Sequence, residues 1–226
     1  MTTSNTTTTD QGLRDYMLGV YNHMGIGLIL SGFIAYMVAT VPALTQLVLG
    51  GPQVLLFIFA PLLMVFWLSY SINKISVSTA KATFYAYAAI MGASLSTIFM
   101  HYRLDSVVQV FFISSISFLA TSVYGYVTKR DLTALGGLMF MGLIGIIVAM
   151  LVNLFMQNTM FDLAISCVAV VVFVGLTAYD TQKIKEIYYQ TTGDDQSKAG
   201  IMGALNLYLD FVNLMLHLLR LFGVRK

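Results

Sequence analysis

Charge is what this chain has least of. Asp, Glu, Lys and Arg make up 10% of its 226 residues, against roughly 25% in a soluble domain, so a water-soluble globule is excluded. Three prolines are too few for a loop-rich protein. A net charge of +2 is too small to draw in nucleic acid, and no such partner is expected. The single cysteine, Cys167, cannot close an internal disulfide. It falls mid-span and reads as a small packing residue, inert in apolar surroundings. The first twelve residues are polar and Thr-rich. They lack the basic-then-apolar order of a cleavable signal peptide. Residues 1–12 are therefore expected to be a disordered tail, with residues 13–226 forming one membrane domain whose first apolar helix is the uncleaved insertion signal.

What fills the chain is hydrophobic: 58% of residues, with a mean hydropathy of +0.81. About 20 apolar residues cross a bilayer as a helix, and seven stretches come near that length. They are Tyr21–Val41, Gln53–Ile72, Ala82–Met100, Val107–Val127, Thr133–Met156, Leu163–Tyr179 and Gly200–Phe222. None shows strand alternation, so the fold class is all-α, a polytopic bundle. The Gly50-Gly-Pro52 turn separates the first two spans, and Thr181–Ala199 is expected to be the only long loop. With the N-terminus in the cytoplasm, Arg14, Lys74, Lys81, Lys129, Arg130, Lys183, Lys185 and Lys198 lie inside, against Arg103, Arg220, Arg225 and Lys226 outside. That count obeys the preference of basic residues for the cytoplasmic side. It would obey better still if the last stretch dipped in and returned, but that stretch is long enough to cross, at about 1.5 Å per residue. Ala88, Gly92 and Ser96 recur every fourth position, a stripe that lets helix backbones approach.

Two acids stand out against this background. Asp180 closes the run Leu163–Tyr179, and Asp210 lies inside the next one. An ionised carboxylate at the centre of a lipid-embedded helix costs about 2.5–3.5 kcal/mol on insertion scales, so such residues mark function. The last stretch also carries Asn206, Asn213, His217 and Arg220. With Asp210 they fall at steps of four and three, which draws one stripe along a helix face. Facing lipid would be costly, so the stripe is expected to line a polar path or to pack at the bundle centre. Asn206, Asn213 and His217 serve equally well as interhelical glue. In the fourth span Ser114, Ser117 and Thr121 share a face and are further path-lining candidates, although such hydroxyls more often bond the carbonyl one turn back.

Two carboxylic acids within hydrogen-bond reach cannot both ionise cheaply; they share one proton and titrate together. Protonated, the pair is closed by its own hydrogen bond. Deprotonated, it offers two repelling charges and hard oxygens suited to transient Ca²⁺. One geometric condition attaches: Asp180 lies about 4.5 Å inside Lys183, whereas Asp210 lies about 15 Å in from Gly200. They meet only if the last helix begins outside the membrane, or if water reaches inward.

The segments Gly175-Leu-Thr-Ala-Tyr-Asp-Thr-Gln-Lys-Ile-Lys185 and Ala204-Leu-Asn-Leu-Tyr-Leu-Asp-Phe-Val-Asn-Leu214 closely resemble the Bax inhibitor family, the transmembrane Bax-inhibitor-motif proteins. Weaker likeness runs through Val20–Tyr36, Tyr87–Tyr102 and Thr128-Lys-Arg-Asp-Leu-Thr-Ala-Leu-Gly136. The resemblance implies seven transmembrane helices with the last one central. It also implies a pH-sensitive Ca²⁺ leak with Asp180 and Asp210 as the proton-sensing pair. The short tail and compact loops look like a bacterial, inner-membrane member. For such relatives the resemblance implies an alternative role, binding and restraining a membrane-bound AAA protease, with the N-terminal tail as its handle. Some members carry an arginine in the second helix that latches the acidic pair. Gln53–Ile72 contains none, and Asn73 and Lys74 stand at its end. No cofactor and no enzymatic activity are expected. Tyr179-Asp180 matches half of an intramembrane aspartyl protease signature, but Tyr208-Leu209 precedes Asp210 where Gly-x-Gly is required.

Overall fold

A backbone in lipid has no water to bond, so each span must satisfy its own N–H and C=O groups as a helix. The computed structural model describes residues 3–226, with residues 3–10 as backbone only. Its elements are α1 (Thr3–Thr40), α2 (Pro42–Leu49), α3 (Val54–Ser71), α4 (Val77–His101), α5 (Leu104–Val127), α6 (Thr133–Met156), α7 (Thr159–Gln190) and α8 (Gly193–Phe222). Among the described residues seven helices are long and apolar enough to cross a membrane: Gln11–Thr40 within α1, and α3 to α8. The chain is an all-α polytopic membrane protein. Met1 and Thr2, at the head of the expected tail, lie outside the described residues. α1 reaches back to Thr3, into that stretch, while the candidate span within it begins at Gln11.

The Gly50-Gly-Pro52 turn stands between the first two spans, with a short helix, α2, ahead of it. Pro42 starts α2 at a position where a missing N–H costs nothing. The expected loop Thr181–Ala199 is mostly helix: α7 runs on to Gln190 and α8 starts at Gly193 with φ +62°. Hydropathy marks where lipid ends, and a charged helix can project beyond it. α8 is one continuous helix of 30 residues, which removes the dip-and-return alternative. Its most apolar window is 56% buried, against 6–39% for the other six, so the last helix is the central one.

The chain forms two compact units, one of α1–α4 with residues 184–208, the other of residues 102–183 and 209–225. In the first, the small-residue stripe works as read: a Cβ on Gly92 would fall 2.5 Å from the Ser31 carbonyl oxygen, so α1 and α4 touch backbone to backbone. Beside this contact the Ser31 hydroxyl lies 2.6 Å from Tyr208 Oη and 2.7 Å from the Ala88 carbonyl. Pro61 sits inside α3 and cannot donate to the Phe57 carbonyl one turn back. The Ser94 hydroxyl of α4 donates to that carbonyl instead. On the outer faces Leu62, Phe66, Tyr70 and Phe155 stand more than half exposed, as lipid-facing side chains do. Cys167 is exposed too, which corrects its reading as a packing residue.

In the second unit α5 meets α7 just as closely. Gly125 packs against the Ala178 carbonyl with no room for a Cβ. Ser122 and Thr181 hydroxyls bond at 2.9 Å. Gln182 accepts the Leu132 N–H at 2.8 Å and donates to the Arg130 carbonyl at 2.9 Å, fixing the α5–α6 connection. Phe211 of α8 sits between Phe111 and Phe118, its ring 5.6 and 5.7 Å from theirs.

Candidate functional site

The site lies along the seam of α7 and α8, which run antiparallel through a connection of Thr191 and Thr192. Its register is set by Phe173 and His217, whose rings stack 6.0 Å apart at 21°. Seven residues on from Phe173 is Asp180, and seven back from His217 is Asp210. A heptad is about 10.5 Å and nearly a whole number of turns. The two acids are therefore the next rung of the same antiparallel ladder. Asp210 is within electrostatic reach of Asp180. α8 begins at Gly193, in the charged stretch and seven residues before the apolar run that starts at Gly200.

The two carboxyls differ in setting. Asp210 is 5% exposed, and its Oδ2 has no hydrogen-bond partner among the described residues. Asp180 is half-buried. A buried polar atom without a partner costs about 1–3 kcal/mol, more when charged, so this oxygen is an unusual thing to retain.

The rest of the α8 stripe divides. His217 is 4% exposed, with Nδ1 3.3 Å from Ser166 Oγ. Asn213 is half-buried and donates to the Leu209 carbonyl one turn back at 2.8 Å. Asn206 is exposed, so the stripe leaves the protein interior there. Arg220 leaves it at the other end and pairs with Asp162 of α7 at 3.1 Å. In α5 the Ser114 hydroxyl donates to the Val110 carbonyl at 2.8 Å and Thr121 to the Ser117 carbonyl at 2.7 Å. The buried face of α5 is Ser114, Phe118, Ser122 and Gly125, with Ser117 and Thr121 on its flank. Sequence reasoning missed Ser122, which bonds Thr181 next to Asp180. The steps of four, four and three from Ser114 to Gly125 were the signal. It also missed the Asp162–Arg220 pair, whose members are 58 residues apart.

The model of the family described as "Inhibitor of apoptosis-promoting Bax1" matches residues 13–226. The chain belongs to the Bax inhibitor family. An uncharacterized protein of Rickettsia prowazekii is 43% identical over 226 residues, all of this chain and 96% of that one. The inner membrane protein YbhL of Escherichia coli K12 is 43% identical over 219 residues, 95% of this chain and 94% of that protein. An uncharacterized membrane protein of Streptococcus pyogenes is 37% identical over 220 residues, 96% of each. This member of the Bax inhibitor family is thus a multi-pass membrane protein of bacterial type. It has no arginine in α3. Lys74, just beyond that helix, is exposed and lies over the Tyr70 ring, 4.5 Å from its centroid.

Proposed function

We propose that this protein is a pH-sensitive, Ca²⁺-permeable leak of the bacterial inner membrane, with no enzymatic activity, gated by Asp180 and Asp210. One observation carries the reading: a buried carboxylate with an unpartnered oxygen, one heptad from the Phe173–His217 stack and opposite a second acid. At low pH a shared proton lets one acid donate to the other and holds the seam shut. As pH rises the proton leaves, the like charges repel, and the helices part around hard oxygens that take Ca²⁺. Two carboxylates supply fewer oxygens than the roughly six to eight of a resident Ca²⁺ site. Among the described residues no cluster of three or more His, Cys, Asp or Glu side chains gathers. Ca²⁺ is therefore cargo at this pair.

Along the seam Asn213 and His217 line the route. The Ser114 and Ser122 face of α5 supports α7 behind Asp180. A cytoplasmic N-terminus, with α8 crossing fully, leaves eight basic residues inside and four outside, in keeping with the positive-inside preference. The alternative, restraint of a membrane-bound AAA protease, has its handle in the N-terminal tail rather than in this seam. Liposome flux separates the two. Reconstituted wild type is expected to pass Ca²⁺ faster as pH rises, and Asp180→Asn and Asp210→Asn are expected to lose that dependence. Flux indifferent both to pH and to these substitutions would overturn the leak.

A further inference from the structure

A cleft of about 360 Å³ opens between α6, α7 and α8 at the far end of the seam from the acidic pair, within the range of small-molecule sites. It is amphipathic along its length. At one end stand Asp162, in the first turn of α7, and Arg220, in the last turn of α8. Ile147, Met150, Leu151 and Leu154 of α6 carry it inward, and Asn153, whose Oδ1 accepts the Asn158 N–H at 3.1 Å, lines it near the charged end. Ile147 lies nine residues before the end of α6, so the apolar wall runs about 14 Å down from the helix ends. Its rim is open: Ile147, Leu151 and Leu154 are 46%, 54% and 69% exposed. The charged end lies at the termini of three membrane-spanning helices, and the apolar wall lies along the span of α6, where acyl chains would meet it.

The charged end holds one cation and one anion. Arg220 Nη1 donates a single hydrogen bond to Asp162 Oδ1 at 3.1 Å. That geometry leaves the other guanidinium donors for a phosphate and the second carboxylate oxygen for a donor. A primary ammonium linked to a phosphate matches both partners, whereas a quaternary ammonium has no N–H to give.

We propose that this cleft is a phospholipid site. It seats a phosphoethanolamine headgroup across Arg220 and Asp162, and lays one acyl chain along the α6 wall. This goes beyond the gating reading and does not depend on it. Charged pockets between membrane helices are a known form of lipid recognition; here the paired signs select a zwitterionic headgroup with a primary amine.

The experiment compares phosphatidylethanolamine, phosphatidylcholine and phosphatidylglycerol of identical chains, added to the purified full-length protein in detergent. The readouts are lipid retained in native mass spectrometry and the shift of thermal unfolding. Wild type is expected to retain phosphatidylethanolamine about fivefold or more over phosphatidylcholine, the scale of one charge-assisted hydrogen bond. Arg220→Gln is expected to lose all three lipids, and Asp162→Asn to bind the ethanolamine and choline lipids alike. Leu151→Trp fills the cleft without touching the charged pair and is expected to lose binding while remaining helical and monodisperse. Soluble phosphoethanolamine should not displace the lipid, because it has no chain. Equal retention of the ethanolamine and choline lipids by wild type would overturn the proposal. So would wild-type binding in Leu151→Trp, or displacement by the free headgroup.

Discussion

The two ends of the α7–α8 seam hold charged couples of opposite kind. Near the connection, Asp180 and Asp210 bring two groups of the same sign together. One is buried with an oxygen unpartnered, where lipid and protein offer little solvation. At the far end, Asp162 and Arg220 bring unlike charges together at 3.1 Å, with side chains 32% and 38% exposed. The far couple can be accounted for by stability and surface recognition alone. The near couple gains no such stability, because a second acid opposite a buried one adds like-charge repulsion when both ionise. The difference shows what to ask of a charge in a membrane protein: whether its partner neutralises it. Asp162 and Arg220 answer each other. On the proposed function the aspartates are answered by a proton or a cation.

Substitution can break this contrast in a graded way. The largest effect is expected from Asp210→Asn on transport. Wild-type Ca²⁺ flux should climb with pH by up to about tenfold per unit, the limit for a single proton, and the variant should give a flat profile in the same liposomes. Next comes Gly125→Leu, which forces side-chain atoms against the Ala178 backbone, two residues from Asp180. Overpacking there is expected to cost about 1–3 kcal/mol, measured by thermal unfolding in detergent. The stability effects of the two couples should differ in sign. Asp210→Leu removes a buried carboxyl with an unpartnered oxygen and is expected to be neutral or stabilising by about 1–3 kcal/mol at neutral pH. Asp162→Asn is expected to lose about 0–1 kcal/mol, since its pair is partly exposed and screened.

The smallest effect lies outside the seam. Asp131 is held below the usual carboxylate range, chiefly by hydrogen bonding to Thr133, whose backbone N–H donates at 2.8 Å. A lowered folded-state value stabilises above the ordinary value and is lost as pH falls through the lowered one. Asp131→Asn should therefore be slightly less stable than wild type at neutral pH and equal to it in strong acid, as a pH series of unfolding midpoints would show.

Much of this was legible in the sequence, for a physical reason. Lipid demands about 20 apolar residues per crossing, so seven spans could be read; Gln53–Ile72, Val107–Val127 and Thr133–Met156 end within three residues of their helices, while helix runs on before Tyr21, beyond Tyr179 and before Gly200. Asp180 and Asp210 stood out because apolar runs make a lone carboxylate conspicuous. What escaped were features that hydropathy does not encode. Pro42–Leu49 is too short to span and sits between spans. Thr181–Gln190 is charged yet helical, because leaving lipid does not end a helix. Cys167 was misplaced because a lipid-facing surface is as apolar as a core, so composition gives no inside and outside. The partners Asp162 with Arg220 and Ser122 with Thr181 depend on which helix faces close in space, and α7 is nearly as apolar on one side as on the other.

The central claim is that Asp180 and Asp210 share one proton that is lost as pH rises. Infrared difference spectroscopy on the reconstituted protein tests it most directly, through the stretch of a protonated carboxyl group. The account predicts one such band at low pH that fades as pH rises, in step with the increase in Ca²⁺ flux, and that is altered by Asp180→Asn and by Asp210→Asn alike. A band that neither substitution touches, or two carboxyls that titrate independently of one another, would contradict it.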